Sequence, residues 1–342
     1  MDDLPLATPH LPGTGGELKR SPADFVVEEI PAYEPCGEGE HVYLRVRREG
    51  RTTREVQRAL ALAFAVAERD VGCAGQKDKV ARVTQTFSLP LRLGDPEDLR
   101  RRAEASTGLE VLAAARHRNK LGRGHLSGNR FEIILAGVVP NALERARAIA
   151  AALSETGVPN YFGEQRFGAD GRNATRGARR IGAGERNAGF VARFELSAWQ
   201  SEIFNAWLAD RMLRGLLARV LRGDLAKKTA GGGLFEVVDE AAEQARCARG
   251  EISATGPIAG ATMRAASGEP GEIERALIGS FLEKSGADAS ALERQRLPGS
   301  RRAARVFPRE LGIEPHEDGL RLSFVLEPGA YATVVLREIA KA

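Results

Sequence analysis

The chain has 342 residues, of which 43% are hydrophobic and 28% charged, and its formal net charge is +4 at pH 7. This composition excludes a disordered chain, because it supplies enough apolar side chains for sizeable cores, and the length suggests two domains. No apolar run reaches the ~20 residues that span a bilayer. We expect a cytoplasmic protein without a secretory signal, because residues 1–16 lack basic and apolar signal regions and the three cysteines lack disulfide or zinc spacing.

The first half of the chain alternates predicted strands with predicted helices. Short apolar or alternating runs predict strands at residues 25–30, 42–46, 71–74, 83–89, 109–114 and 131–135. Thr52 and Glu55 have the spacing of a capping box, which predicts a helix that ends near Phe64. Asp95 and Asn141 are predicted to open two further helices, which end near residues 105 and 153.

The composition changes near residues 157–159, and the second half is predicted to be more helical. Helices are predicted at residues 199–221, 240–249 and 272–284, and strands at residues 301–306 and 320–326. Residues 330–339 fit either a strand or a helix. Taken by itself, this pattern suggests two consecutive domains.

Residues 75–79 form a polar turn between two predicted strands, which can aim its side chains into a cleft. Lys77 lies next to Asp78, and a neighbouring lysine favours the ionised carboxylate, which can act as a nucleophile. The same pattern is typical of an ordinary solvent-exposed hairpin. Spacing alone favours this second interpretation.

Six motifs occur in order along the chain. They are KRSPADF at 19–25, GEGEH at 37–41, AGQKDK at 74–79 followed by VTQ at 83–85, GNRF at 128–131, PNYFGEQRFG at 159–168 and PGAYAT at 328–333. Together they resemble the TruD family of pseudouridine synthases. The resemblance implies an α+β pseudouridine-synthase fold, with a curved, mainly antiparallel sheet and helices, plus an inserted and mostly helical TRUD domain. It implies a discontinuous catalytic domain, residues 1–158 and 301–342, and an inserted domain, residues 159–300.

The resemblance also implies an activity: an isomerase that converts uridine-13 in the D-arm of tRNA to pseudouridine without a cofactor or metal. Asp78 matches the catalytic carboxylate, and the sequence leaves open whether it attacks the sugar or acts as a base after glycosidic cleavage. The positions that match substrate-binding residues are Lys19, Phe25, Lys77, Asn129, Phe131 and Tyr331. Asn129 and Phe131 share one face of a strand, although Phe131 is also explained by core packing. Tyr331 stands where relatives often carry Phe.

Basic side chains are predicted to bind the RNA backbone. Residues 101–130 carry seven basic and two acidic side chains, which is the charge excess expected of a nucleic-acid binder. The predicted RNA-binding residues are Arg116, Arg118, Lys120, Arg123, Arg166 and Arg172. A solubilising surface is the alternative. The aromatic residues at 161–167 are predicted to pack inside at a hinge, and the expected partner is tRNA, with no membrane, no obligate protein partner and a monomeric state.

Two other functions compete with the enzyme. An RNA-binding protein of the same fold without catalysis is disfavoured, because Asp78 is intact. A methyltransferase would need a cofactor loop after a strand, and the glycines at 13–16 follow prolines instead.

Overall fold

The structure is a computed structural model that describes residues 3–18, 20–77, 79–184 and 189–341. Two predicted site residues, Lys19 and Asp78, lie outside the described residues. The strands are β1 Glu17–Leu18, β2 Phe25–Pro31, β3 His41–Arg48, β4 Gly72–Cys73, β5 Arg82–Leu89, β6 Glu110–His117, β7 Leu126–Ala136, β8 Val158–Pro159, β9 Leu225–Lys228, β10 Leu234–Glu236, β11 Ile252–Ile258, β12 Ser300–Ala303, β13 Arg305–Val306, β14 Arg309–His316 and β15 Gly319–Leu326. The helices are α1 Thr53–Phe64, α2 Pro96–Thr107, α3 Ala142–Thr156, α4 Asn173–Ala183, α5 Gly189–Leu213, α6 Glu240–Ala248, α7 Gly268–Lys284, α8 Ser290–Arg294 and α9 Ala332–Ala340.

Backbone contacts divide the chain into two compact units. The sheet unit consists of residues 14–146 and 308–329. The helix-rich unit consists of the residues up to Gly13, residues 147–307 and residues 330–341. The predicted insertion at residues 159–300 stays a prediction.

The sheet unit is built on one large, mainly antiparallel sheet. In its described part the strand order is β14-β15-β7-β2-β5-β3-β6, with β1 added beside β7 and β4 beside β5. Only β2 and β5 run parallel among these pairs, and parallel neighbours need a crossover connection, which here contains α1. The mixed fold with a mainly antiparallel sheet is therefore confirmed.

Helices α1 and α2 cover one face of this sheet. The core between them contains Val42, Leu44, Val46, Phe87 and Leu89 from β3 and β5, with Val56, Leu60, Leu99 and Ala103 from the two helices. Cys73 is buried in the same core, as predicted. The predicted capping box opens α1, since Thr52 Oγ1 accepts a hydrogen bond from the Glu55 N–H at 3.2 Å. The capping box therefore fixes the position of the polar N-terminus of α1 beside the sheet.

The helix-rich unit combines paired helices with a small antiparallel sheet. Helix α5 packs on α4, and Ile181, Leu196, Trp199, Ile203 and Leu282 form their shared core with α7. The small sheet has the order β10-β9-β11-β12, and β8 pairs with β13. Residues 330–339, which fitted either a strand or a helix, are mostly in α9.

Several predicted bounds are wrong, and two elements differ most. The helix predicted at residues 199–221 is α5, which begins at Gly189 and ends at Leu213, because the chain turns at Gly215 with φ +70°. The strand predicted at residues 131–135 is the longer β7, whose first half is polar. Pairing with β2 on one side and β15 on the other holds this polar half in the sheet.

Candidate active site

Polar side chains lie among apolar ones on the helix-covered face of the sheet. Side chains two residues apart point to the same face of a strand. On this face Glu29 follows Val27 in β2 and Gln85 follows Val83 in the parallel strand β5, while Arg48 of the antiparallel β3 pairs with Val83. Strand β7 adds Asn129, which is the pairing partner of Glu29. Neighbouring strands therefore bring four polar groups together in a mostly buried place.

Lys77 and Glu29 form a buried ion pair at the centre of this polar group. Lys77 Nζ lies 3.1 Å from Glu29 Oε2, and the side chains are only 7% and 3% exposed. Lys77 Nζ also donates a hydrogen bond to Asn129 Oδ1. Burial lowers the pKa of Lys77, and the charge of Glu29 opposes this shift. Each charge is stabilised by the other, because a lone buried charge is costly.

The backbone of the turn is anchored to the same polar group. Thr53 Oγ1, at the start of α1, accepts a hydrogen bond from the Lys77 N–H at 3.0 Å. Gln85 Nε2 donates to the Gly75 carbonyl at 2.7 Å, and Arg48 Nη2 lies 3.4 Å from the Lys77 carbonyl. Side chains from α1, β5 and β3 therefore hold the backbone of residues 75–77, which precede Asp78 in the sequence.

Three phenylalanine rings lie side by side across β2, β7 and β15. The ring of Phe131 is 6.2 Å from that of Phe25, edge to face, and 5.4 Å from that of Phe324, measured between centroids. All three side chains are buried. Two of the predicted substrate-binding residues are therefore together, and their role with substrate stays a prediction.

A basic groove opens beside the polar group. Its volume is about 520 Å³, and it is lined by Arg47, Arg48, Glu49, Arg51, Arg82, Gly108, Leu109 and Glu110. Arg47 pairs with Glu110 at 2.8 Å, and both side chains are about half-exposed. Exposed ion pairs are weak, so such arginines can exchange a carboxylate for a phosphate at little cost. Arg48 belongs to both the groove and the polar group.

The predicted RNA-binding residues of the sheet unit differ in what their side chains contact. The Arg116 guanidinium donates to the carbonyls of Gly39, Leu91 and Gly94. This side chain therefore holds loops together. Arg118 pairs with Glu38. Lys120 Nζ donates to the carbonyl of Arg69 at 2.6 Å, and Arg123 is exposed.

The remaining predicted residues belong to the helix-rich unit. Arg166 packs over the rings of Phe162 and Phe194, and its Nε donates to Ser201 Oγ at 3.1 Å. Burial lowers the pKa of Arg166. The Phe162 ring is 6.0 Å from the ring of Tyr331, which precedes α9. Phe162 and the neighbouring Tyr161 are buried, in agreement with their predicted packing, and Arg172 is exposed.

Sequence reasoning missed Glu29, Arg48, Thr53 and Gln85. A signal was present for Glu29 and Arg48, because a polar residue near the end of an alternating apolar run breaks the pattern of a strand. Among the described residues no group of three or more His, Cys, Asp or Glu could hold a metal ion. No described helix is long and apolar enough to cross a membrane.

Comparison with solved structures defines the class of fold. A crystal structure of a Methanosarcina mazei protein described as TruD matches with a TM-score of 0.72 at 23% identity. The match covers 100% of this chain and 97% of that one. The fold is that of the pseudouridine synthases.

Sequence comparison defines the family. A sequence model described as tRNA pseudouridine synthase D (TruD) matches residues 5–185 and 191–339, and the chain belongs to this family. A tRNA pseudouridine synthase D from Anaeromyxobacter dehalogenans is 49% identical, covering 100% of this chain and 97% of its own. One from Thermus thermophilus is 45% identical, covering 98% and 92%. The resemblance found in the sequence motifs is confirmed.

Proposed function

We propose that this protein converts uridine-13 in the D-arm of tRNA to pseudouridine. It acts in the cytoplasm as a monomer, without a cofactor, a metal or an obligate protein partner. Membership of the tRNA pseudouridine synthase D family supports the proposal. The observation that carries it is the buried pair of Lys77 and Glu29. A solvent-exposed hairpin, the alternative interpretation of this turn, would leave its lysine in water.

The reaction is an isomerisation in which the bond from C1′ to N1 of uracil breaks and a bond from C1′ to C5 forms. The proton on C5 is lost and N1 gains one, so no electrons are exchanged with a cofactor. Asp78 either attacks the sugar and is displaced when C5 bonds to C1′, or removes a sugar proton after the glycosidic bond breaks and returns it when C5 bonds to C1′. Both routes need an ionised carboxylate, and the lysine next to Asp78 in the sequence favours that form.

The other predicted site residues either support the catalytic carboxylate or hold the uracil while it turns. Lys19 is the basic partner of the catalytic carboxylate, and Asn129 orients that carboxylate. The Phe131 ring stacks the base, and Phe25 and Tyr331 are further substrate-binding residues. Because the target atoms are hidden in a base stack, the tRNA arm must present an extruded uridine. Phosphate contacts from basic side chains supply much of the affinity.

Replacing Asp78 with Asn tests the proposal. Asp78→Asn keeps the shape of the side chain and removes its charge, so turnover should fall by a factor on the order of a million. Binding of tRNA should stay within about threefold, since loss of a negative charge does not weaken attraction to phosphate. Asp98→Asn is the matched control, because Asp98 is exposed on α2. Its turnover should equal that of the unmodified protein.

The measurement is carbodiimide mapping of pseudouridine on a tRNA transcript, with no cofactor added. A second transcript that carries cytidine at position 13 shows whether the product forms at that position alone. Near-normal turnover by a folded, tRNA-binding Asp78→Asn protein would refute the catalytic role. A protein that binds both transcripts and modifies neither would be an RNA-binding protein without catalysis.

A further inference from the structure

A partly exposed cluster of aromatic side chains lies in the sheet unit, on the β2–β3 loop, the last residue of β6 and the β6–β7 loop. The ring of Tyr33 stacks on His117 with centroids 5.1 Å apart and an interplanar angle of 21°. The rings of Tyr33 and His125 meet edge to face with centroids 5.6 Å apart, and the Tyr33 hydroxyl lies 2.7 Å from His125 Nδ1. None of these residues belongs to the polar group around Lys77.

The cluster rests on a buried base. Tyr43 lies beneath it in β3, with its ring 4.9 Å from His117 and its hydroxyl 3.3 Å from the hydroxyl of Tyr33. The Tyr43 hydroxyl donates to the Asn119 carbonyl at 3.0 Å. Tyr43 is buried, whereas Tyr33 is 36% exposed. The exposed ring is therefore positioned by buried neighbours.

The loop that carries Tyr33 is tied to the end of β6. The Cys36 N–H donates to His117 Nδ1 at 3.2 Å, and the Gly37 N–H donates to the Arg116 carbonyl at 3.0 Å. Gly39 has φ +117°, and a Cβ atom there would lie 2.5 Å from Arg118 Cα. Only glycine allows this close approach. A ring held in place before binding loses little entropy when a partner stacks on it.

Basic side chains lie on one of the two loops of the cluster, and the other loop carries Glu34, Glu38 and Glu40, of which Glu38 pairs with Arg118. Arg118, Lys120 and Arg123 are exposed on the β6–β7 loop. An aromatic face next to cations suits a nucleic acid, because every base has a π-face and every nucleotide a phosphate. Sequence-tolerant stacking of this kind favours unpaired nucleotides over helical RNA.

We propose that the Tyr33–His117 stack is a platform on which an unpaired base of the RNA substrate stacks, outside the polar group around Lys77. The proposal rests on the proposed function only in that the RNA is tRNA. Base–aromatic stacking at one such site corresponds to about 5- to 150-fold in affinity. The platform would therefore help to hold the folded tRNA and would take no part in the chemistry.

Replacement of Tyr33 by Leu and by Phe tests this platform. Tyr33→Leu removes the π-face, so affinity for a tRNA transcript should fall about 5- to 150-fold. The slope of log affinity against log salt should not change, because no phosphate contact is lost. Tyr33→Phe, the matched control, keeps the ring and should bind within about twofold of the unmodified protein. Equal affinity of the Leu and Phe variants, or a changed slope for the Leu variant, would overturn the proposal.

A Tyr33→Trp variant reports stacking directly. The native tryptophans, Trp199 and Trp207, are only 1% and 4% exposed, so the introduced indole dominates quenching from solution. Saturation with tRNA should quench this indole and shield it from acrylamide. A tRNA-saturated variant with unquenched, acrylamide-accessible fluorescence would overturn the platform.

The two proposals fail separately in these experiments. If the unmodified protein forms pseudouridine but tRNA leaves the introduced indole unquenched, only the platform is wrong. If tRNA quenches the indole but the unmodified protein forms no product, the platform is supported and the proposed activity is wrong.

Discussion

Two adjacent glutamates of β2 have opposite environments. Glu29 faces the buried side of the sheet and pairs with Lys77, with both side chains less than a tenth exposed. Glu28 points to the other face and pairs with Arg45, and both of these side chains are partly exposed. The alternation of the strand alone separates the two carboxylates.

We expect the two glutamates to differ in their contribution to stability. Glu29→Gln leaves the buried charge of Lys77 without its partner and should lower the free energy of unfolding by about 3–5 kcal/mol. Glu28→Gln is the matched control and should cost about 0–1 kcal/mol, since its ion pair is exposed. Urea denaturation of the two variants measures the difference. Equal midpoints would show that the Lys77–Glu29 pair does not support the turn.

Helices α4 and α5 pack closely at a glycine. A Cβ atom at Gly177 of α4 would lie 2.3 Å from the backbone oxygen of Glu195 in α5. Gly279 of α7 has no heavy atom within 4 Å of its Cβ position. The same residue type therefore serves packing in one helix and has no packing role in the other.

Alanine substitution separates these two glycines. Gly177→Ala forces the two helix backbones apart and should destabilise the protein by about 1–3 kcal/mol. Gly279→Ala should stabilise it by roughly 0.5–1 kcal/mol, because alanine loses less backbone entropy in a helix. Thermal unfolding of both variants is the measurement. A stabilising Gly177→Ala would mean that α4 and α5 can move apart freely.

At the scale of the whole molecule, a net charge of +4 is spread over many arginines that already have partners. Arg116, which was predicted to bind RNA, contacts three backbone carbonyls. Removal of the Arg116 side chain would disturb the loops that it contacts and would also remove a positive charge. Arg118 and Arg123 are better probes of RNA binding, because both are exposed.

We expect the Arg118→Ala, Arg123→Ala double variant to bind tRNA more weakly and with less dependence on salt. Each lost phosphate contact should reduce the slope of log affinity against log salt by about 0.7–0.9. Arg101→Ala, an exposed position on α2, is the control for loss of positive charge alone. Titrations at several salt concentrations measure the slopes. If the slope of log affinity against log salt equals that of Arg101→Ala, the β6–β7 loop is a solubilising surface and does not bind RNA.

Local sequence determined the elements whose ends depend on nearby hydrogen bonds. Helix α1 begins where the Thr52 and Glu55 pattern predicts, and α2 begins after Asp95, whose side chain accepts from the Glu97 N–H at 2.8 Å. Such caps lie within four residues of the groups they bind. The ordered motifs also determined the family and its fold class.

Only the tertiary structure decided which polar residues meet. Glu29, Asn129 and Gln85 lie far apart in the chain, and the pairing of β2 with β7 and β5 brings them to Lys77. The same long-range pairing holds the polar first half of β7 in the sheet, where local propensity predicts a loop. Strand pairing joins residues that are distant in sequence, so local sequence patterns do not predict its energy. Because burying a single charge is costly, Lys77 and Glu29 can both be buried only where that pairing places them next to each other.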